Sequence, residues 1–192
     1  MGTTIFYTAT TIDGFIADEH DSLEWLFQVP AGDDDVGHED RFGRFFADVG
    51  AMAMGSTTYE WVLDHDPLLE HPEKWREYYG DTPCWVFSHR ELPAIPGADL
   101  RFVRGVVAPI HADMVEAADG KNIWLVGGGE LAGQFADHGL LDEIHLSIAP
   151  VSLGAGAPLL PRRLLASDLT LLTVERHGQF VAATYHVTRP TV

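Results

Sequence analysis

Three segments of the sequence combine glycine, hydroxyl and basic residues in an order that suits anion binding. Residues 55–58 read Gly-Ser-Thr-Thr and residues 127–129 are three glycines, and each segment follows a short apolar run. Between them, Ser88, His89 and Arg90 come directly after the apolar residues 84–87. Where a strand ends and a helix begins, free backbone amides and the helix dipole favour anions. The pattern therefore predicts an anion site at one edge of a sheet.

Together the three segments match the parts of a phosphorylated dinucleotide. Two glycine-opened helices could each bind part of a diphosphate, while a hydroxyl, an imidazole and a guanidinium suit a phosphate monoester. This combination predicts NADP(H). Each segment also has a simpler interpretation, because Gly-Ser-Thr-Thr can be a helix cap and Ser-His-Arg a solvated turn. Three consecutive glycines are harder to explain without close backbone approach.

The triple-glycine segment also matches a dinucleotide fingerprint of Rossmann domains, through Gly127, Gly129 and Ala132. That fingerprint belongs in the first strand–helix unit, and an acidic residue should end the strand that follows the helix. Here the following strand ends at Ile148-Ala149-Pro150. A Rossmann domain is therefore a poor fit.

The hydrophobic pattern predicts strands that alternate with helices. Strands are predicted over residues 4–10, 12–17, 51–54, 84–87, 100–103, 123–126, 143–149, 169–176 and 179–187. Helices are predicted over residues 36–49 and 110–119 and directly after the two glycine segments. This order predicts an α/β fold in one domain over residues 1–192, with a mostly parallel mixed sheet and a C-terminal antiparallel hairpin.

The net charge excludes some classes of binding partner, and the cysteine content indicates the cellular compartment. The 12 Lys and Arg residues against 29 Asp and Glu residues give a net charge of −17, which repels phosphate backbones and anionic lipid. We therefore expect no nucleic acid and no membrane partner. Cys84 is the single cysteine, so no internal disulfide can form, and a cytoplasmic protein is expected. The sequence has no signal-peptide pattern at its start and no apolar run of about 20 residues.

Five motifs, taken in order, resemble the dihydrofolate reductase-like superfamily, and most closely its branch related to the RibD C-terminal reductase domain. They are Thr11-Ile12-Asp13-Gly14-Phe15-Ile16-Ala17, Met54-Gly55-Ser56-Thr57-Thr58-Tyr59, Val86-Phe87-Ser88, Val126-Gly127-Gly128-Gly129-Glu130-Leu131, and Leu141-Asp142-Glu143-Ile144-His145-Leu146 with Ala149-Pro150 and Leu153-Gly154 after it. Each motif alone is weakly specific. The ordered set covers nearly the whole chain.

The resemblance implies a three-layer sandwich, NADPH as the hydride donor and a homodimer. It also implies a cis peptide bond at or next to Gly127-Gly128. Carried over to this sequence, it assigns the cofactor to Gly55, Ser56, Thr57, Thr58, Ser88, His89, Arg90, Gly127, Gly128, Gly129, Glu130 and Leu131. The substrate side departs from the riboflavin reductase pattern, because Tyr7 replaces a Lys and the Thr and Arg that follow the Asp at Asp66 are lost. These losses argue against a ribose-phosphate substrate.

Candidates for a catalytic proton donor are Asp66 and one of Glu39 or Asp40, each of which could equally be a solvated surface residue. No metal is expected, since the histidines near Asp66 fit no metal-ligand spacing. Two main hypotheses stay open. The protein is an NADPH-dependent reductase of a small heterocyclic or carbonyl substrate, or a nucleotide-binding protein of the same fold whose catalytic side has decayed. A non-enzymatic interaction module is a third interpretation.

Overall fold

An eight-stranded sheet runs through the protein in the computed structural model, which describes residues 2–30 and 38–188, without the side chains of 38–41. The strands are β1 (Thr4–Thr11), β2 (Phe15–Ala17), β3 (Val49–Gly55), β4 (Cys84–Phe87), β5 (Leu100–Val103), β6 (Asn122–Gly127), β7 (Glu143–Ala149), β8 (Ala157–Pro158), β9 (Leu169–His177) and β10 (Phe180–Val187). The helices are α1 (Glu24–Phe27), α2 (His38–Ala47), α3 (Ser56–His65), α4 (Glu73–Tyr79), α5 (Val107–Ala117) and α6 (Gly129–Asp137). The predicted alternation of strands and helices is confirmed.

The order of strands across the large sheet is β5-β4-β3-β6-β1-β7-β10-β9. From β5 to β7 all neighbouring strands run parallel, and β10 is antiparallel to both β7 and β9. This is the mixed sheet with a C-terminal antiparallel hairpin that the sequence predicts. β2 is not part of the large sheet and pairs with β8 in a separate antiparallel sheet. The prediction that residues 1–192 form one domain stays a prediction.

Helices cover both faces of the large sheet, which explains why β3 and β6 are almost uninterrupted apolar runs. On one face, Phe135 of α6 packs in a cluster with Phe6 and Leu125, all of them fully buried. On the opposite face, Tyr59 of α3 and Trp75 of α4 belong to a second buried cluster. Two helix layers around one sheet give the three-layer sandwich that the resemblance implies.

The Asp13 carboxylate ties the β1–β2 turn to the loop that precedes β8. It accepts hydrogen bonds from the hydroxyls of Thr11 and Ser152 and from the amides of Leu153 and Gly154, the last at 2.7 Å. These bonds, that from Thr11 foremost, hold the pKa of the Asp13 carboxyl well below its usual range. Since the loop leads into β8, one ionised side chain helps to fix the small β2–β8 sheet.

Replacing Asp13 with Asn is expected to lower the free energy of unfolding at pH 7, because an amide keeps one acceptor oxygen and turns an NH₂ group toward the donors. The folded-state pKa is below the unfolded one, so this stabilisation is fully present above the unfolded pKa of about 4. It is lost as the pH falls through the folded pKa. Urea unfolding between about pH 3 and 7 should show the difference from the parent protein narrowing below about pH 4.

The matched control is Asp64→Asn, which changes an exposed carboxylate on α3. We expect this variant to unfold like the parent protein at every pH. Identical unfolding curves for the two variants would contradict the role assigned to Asp13.

Candidate functional site

A cavity of about 650 Å³ opens where β3, β4 and β6 end, and we call it the strand-end cavity. These strands run parallel, so their carboxyl ends lie at the same edge of the sheet. Gly55, Ser88 and Gly127, which stand at or directly after the strand ends, line its wall. The two segments from which a diphosphate site was predicted therefore meet in one cavity.

Two helices begin at the strand-end cavity without a side-chain cap. Gly55 is the N-cap of α3 and Gly128 is the N-cap of α6, so in the described chain neither N-cap residue caps its helix with a side-chain hydrogen bond. The first four amides of a helix have no partner within the helix, and the helix dipole places partial positive charge there. Two such helix starts on one cavity can bind the two phosphates of a diphosphate through backbone amides alone.

The turn between β6 and α6 leaves no space for a side chain at Gly129. A Cβ atom there would lie 2.3 Å from the carbonyl oxygens of both Pro158 and Leu159. A Cβ atom on Gly127 would lie 3.0 Å from the Oγ1 atom of Thr58. The Gly127–Gly128 peptide bond is cis, as the resemblance implies. The triple glycine thus allows close backbone approach, as the three consecutive glycines predicted.

The structure brings almost all of the predicted cofactor residues to the strand-end cavity. Its lining includes Gly55, Ser56, Thr57, Thr58, Ser88, His89, Gly127, Gly128, Gly129, Glu130 and Leu131. Arg90 is not part of the lining. Its guanidinium donates hydrogen bonds of 2.8 and 2.6 Å to the carboxylate of Glu60 on α3, so its charge is already paired.

Arg104 lines the strand-end cavity beside His89 and was not among the predicted residues. It follows the end of β5 and is exposed, and no hydrogen bond or ion pair of its side chain occurs within residues 2–30 and 38–188. Arg104 could have been predicted from the sequence, because Arg104 and Gly105 directly follow the predicted strand 100–103, as Ser88, His89 and Arg90 directly follow the predicted strand 84–87. The weak apolar pattern of β5 obscured it.

The Glu130 side chain is committed to a structural ion pair. Its carboxylate accepts hydrogen bonds of 2.8 and 2.9 Å from Arg162, and these bonds lower its pKa. The Arg162 Nε atom also donates to Asp137, at the end of the same helix. Glu130 can therefore contribute its backbone amide to an anion, while Arg162 neutralises the charge of its carboxylate.

A second cavity, of about 480 Å³, adjoins the first, and we call it the aromatic cavity. Thr8, Ile16, Leu23 and Val126 line both cavities. Six aromatic residues form much of its wall: Tyr7, Trp25, Phe27, Phe42, Trp124 and Phe180. A ligand in the strand-end cavity and a flat molecule in the aromatic cavity would meet at the four shared residues.

The described residues show neither a metal site nor a membrane span. In the ranges 2–30 and 38–188, no group of three or more His, Cys, Asp and Glu side chains is arranged to hold a metal ion. Among the helices that the structure describes, none combines the length and the apolar character needed to cross a membrane.

The sequence pattern of the RibD C-terminal domain matches residues 80–182. The chain belongs to this family. The matched segment begins before β4 and ends within β10, so it includes the strand ends at Ser88 and Gly127. Membership of the RibD C-terminal domain family agrees with the resemblance found from the motifs.

Three known proteins show how far the similarity extends. Protein YwjB of Bacillus subtilis (strain 168), described as uncharacterized, is 30% identical over 182 residues, which are 95% of this chain and 96% of YwjB. A candidate riboflavin biosynthesis protein from Shewanella sp. PV-4 is 27% identical, with 97% and 99% of the two chains covered and a TM-score of 0.75. Dihydrofolate reductase from Enterococcus faecalis, solved with NADP(H), is 11% identical, with 98% and 97% covered and a TM-score of 0.58. The last likeness shows the shared dihydrofolate reductase-like fold alone.

In this member of the RibD C-terminal domain family, Asp66 is the one predicted proton donor whose side chain the structure describes, and it lies outside both cavities. Asp66 lines neither cavity; it accepts a long hydrogen bond of 3.5 Å from Tyr78 and lies 3.9 Å from the Lys74 ammonium. Glu39 and Asp40 belong to the first turn of α2, and their side chains lie outside the described part of the chain. Their catalytic roles stay predictions.

Proposed function

We propose that the chain is an NADPH-dependent reductase that transfers hydride to a small heterocyclic or carbonyl substrate. The observation that carries this proposal is the pair of uncapped helix starts, at Gly55 and Gly128, on one cavity that continues into the aromatic cavity. The first cavity suits a dinucleotide, and the second can hold a substrate against it. The NADP(H) bound to the E. faecalis dihydrofolate reductase of the same fold supports this assignment.

The residues present fit NADPH part by part. The backbone amides at the starts of α3 and α6 would bind the diphosphate, while His89 and Arg104 would bind the phosphate on the adenosine ribose. The Ser88 hydroxyl donates a hydrogen bond to the Arg90 carbonyl and accepts one from the Arg90 amide, so it holds the turn that presents His89. When bound, the cofactor supplies a hydride from its dihydronicotinamide ring. The chain positions both reactants, and Thr8 and Val126, which line both cavities, mark where they would meet.

Arg104 is expected to decide the preference for NADPH over NADH. Because it is exposed and no partner neutralises its charge within the described chain, it is available to a ribose phosphate. Hydrogen bonds between charged groups contribute about 1.5–3 kcal/mol. We expect Arg104→Ala to weaken NADPH binding about ten-fold or more and to leave NADH binding unchanged, measured by quenching of tryptophan emission.

Arg90→Ala is the matched control, because it removes the same charge from a guanidinium already paired with Glu60. We expect its effect on NADPH affinity to be several-fold smaller than that of Arg104→Ala. A larger loss of NADPH affinity in the Arg90 variant would show that Arg90 binds the phosphate, as predicted from the sequence. Equal losses of NADPH and NADH affinity in the Arg104 variant would contradict a phosphate contact.

The aromatic cavity gives the proposed reductase room for a second reactant beside the cofactor, because its volume of about 480 Å³ adjoins the first cavity through four shared lining residues. A nucleotide-binding protein with a decayed catalytic side could keep the same cavity, so activity decides between the two. Oxidation of NADPH by the purified protein, followed by its absorbance against a panel of small C=N and C=O compounds, tests this choice. Binding without oxidation of NADPH by any compound would favour the decayed protein.

We also propose that the functional unit is a homodimer. β9 is an edge strand of the large sheet, and four apolar residues on β9 and β10, Leu171, Leu172, Val174 and Val181, are 44–58% exposed. An exposed apolar edge favours pairing with another chain. A second copy of this chain is the proposed occupant. Sedimentation should give twice the 21.1 kDa mass of the chain, whereas the mass of one chain would contradict the proposal.

A cytoplasmic location is part of the same proposal. It is supported by the single cysteine, Cys84, which is a buried free thiol whose pKa burial raises. Such a thiol is unreactive and is suited to a reducing compartment.

A further inference from the structure

The aromatic cavity is lined by apolar and hydroxyl side chains. Among the described residues on its wall there is no Asp, Glu, Lys, Arg or His. The hydroxyl groups on the described part of this wall belong to Tyr7, Thr8 and Ser147. A substrate held there meets aromatic faces and aliphatic groups and no described counter-ion.

A substrate with a phosphate or carboxylate group does not suit this cavity. An ion of either sign is destabilised in such a cavity without a partner, but the described lining residues supply no positive charge for an anion, whereas their aromatic faces can offset the cost for a cation. The net charge of −17 adds a repulsive field.

The same features favour a positively charged ring. Cations are attracted to the faces of Trp, Tyr and Phe, and the attraction grows when water is excluded. Of the aromatic residues on the wall, Phe27 is 56% exposed and Tyr7, Phe42 and Phe180 are half-buried, so their rings can contact a ligand, whereas Trp25 and Trp124 are largely covered by protein. The negative field of the whole protein draws a cation toward such a site.

On the basis of the proposed reductase function, we infer that the substrate is a flat, phosphate-free ring compound whose reducible C=N bond carries a positive charge. Because the nitrogen of such a substrate already carries the positive charge, hydride transfer needs no acidic side chain to protonate it. Hydroxyl groups are the only described proton donors of that wall apart from indole N–H groups, and all of these are weak acids.

The reaction balances without a proton from the protein. The carbon of the C=N⁺ bond receives a hydride from the dihydronicotinamide donor and forms a C–H bond. The π electron pair of the C=N bond moves to the nitrogen, which becomes a neutral amine. The donor is oxidised to the nicotinamide cation, so one positive charge passes from substrate to cofactor and no proton is consumed.

Three bicyclic probes that share one shape and differ in charge show which charge the aromatic cavity prefers. They are the N-methyl-dihydroisoquinolinium cation, its uncharged carbon analogue methyl-dihydronaphthalene, and the anion dihydronaphthalene carboxylate. Each is titrated into the full-length protein while the emission of the tryptophans is followed, with NADPH titrated in parallel. We expect the cation to bind about ten-fold tighter than the uncharged analogue and the carboxylate to bind weakest.

Phe27→Lys places a positive charge on the cavity wall at a side chain that is 56% exposed, so the fold should tolerate it. We expect this variant to bind the cation about ten-fold more weakly and the carboxylate more tightly, with NADPH binding unchanged. Leu165→Lys is the control, because Leu165 is 50% exposed and lines neither cavity. It should bind all three probes like the parent protein.

The outcomes distinguish this inference from the function on which it rests. Equal or tighter binding of the uncharged or anionic probe, or binding of none of the three, would overturn the cationic substrate while NADPH binding stood. Failure of NADPH to bind would instead overturn the reductase assignment. Oxidation of NADPH by the cation, above the rate without protein, would support both.

Discussion

Ser56→Asp is expected to reduce NADPH affinity by about a hundred-fold or more while the protein stays folded. Ser56 is the first residue of α3, whose start opens on the strand-end cavity and has no side-chain cap. A carboxylate there would lie against a diphosphate, and such a juxtaposition of like charges costs several kcal/mol. The same carboxylate interacts favourably with the helix dipole, so α3 itself should gain stability.

The control for this variant is Thr188→Asp, which adds the same charge at an exposed residue after β10. Fluorescence titration should show NADPH affinity close to that of the parent protein for Thr188→Asp, and urea unfolding should show both variants folded. A folded Ser56→Asp protein that still bound NADPH with parental affinity would refute diphosphate binding at α3.

Gly129→Ala is expected to destabilise the protein by about 1–3 kcal/mol or more and to abolish NADPH binding. The added Cβ atom would lie 2.3 Å from the carbonyl oxygens of both Pro158 and Leu159. Both obstacles are backbone atoms, which cannot rotate away, so α6 must separate from the end of β8 and the residue after it. The separation would also displace the amides at the start of α6.

Gly43→Ala makes the same substitution in α2, where nothing lies within 4 Å of the added Cβ atom. Because alanine is favoured over glycine inside a helix, this variant should gain about 0.5–1 kcal/mol. Urea unfolding measures both effects. If the two variants had similar stability, Gly129 would not be held by close packing against residues 158 and 159.

The ends of the strands could be predicted from the sequence because the residues that mark them are neighbours in the chain. Four consecutive apolar residues before the glycines at 127–129 predicted both the buried strand β6 and the helix start that follows it. The motif order then indicated the family. The two-residue strand β8 could not be predicted, because its pairing with β2 depends on a loop that the Asp13 carboxylate holds through a hydrogen bond between residues 141 positions apart.

The side chains of the site were harder to predict because their partners are distant in sequence. Arg90 stands at the right strand end, but Glu60 on α3 binds it, and nothing local to residue 90 indicates that pairing. Arg104 comes from the next strand of the sheet and reaches the same cavity. Asp66 was predicted as a proton donor because it matches the Asp of the riboflavin reductase pattern, but in the structure it follows the end of α3 and lies beside Lys74 and Tyr78.

We propose that NADPH binds through the backbone amides at the starts of α3 and α6, and an amide NMR titration of ¹⁵N-labelled protein with NADPH observes those amides. We expect the amide signals of residues 56–58 and 129–131 to shift together and to saturate at one NADPH per chain. Saturable binding that left both sets of signals unmoved, or no binding at all, would refute this binding mode.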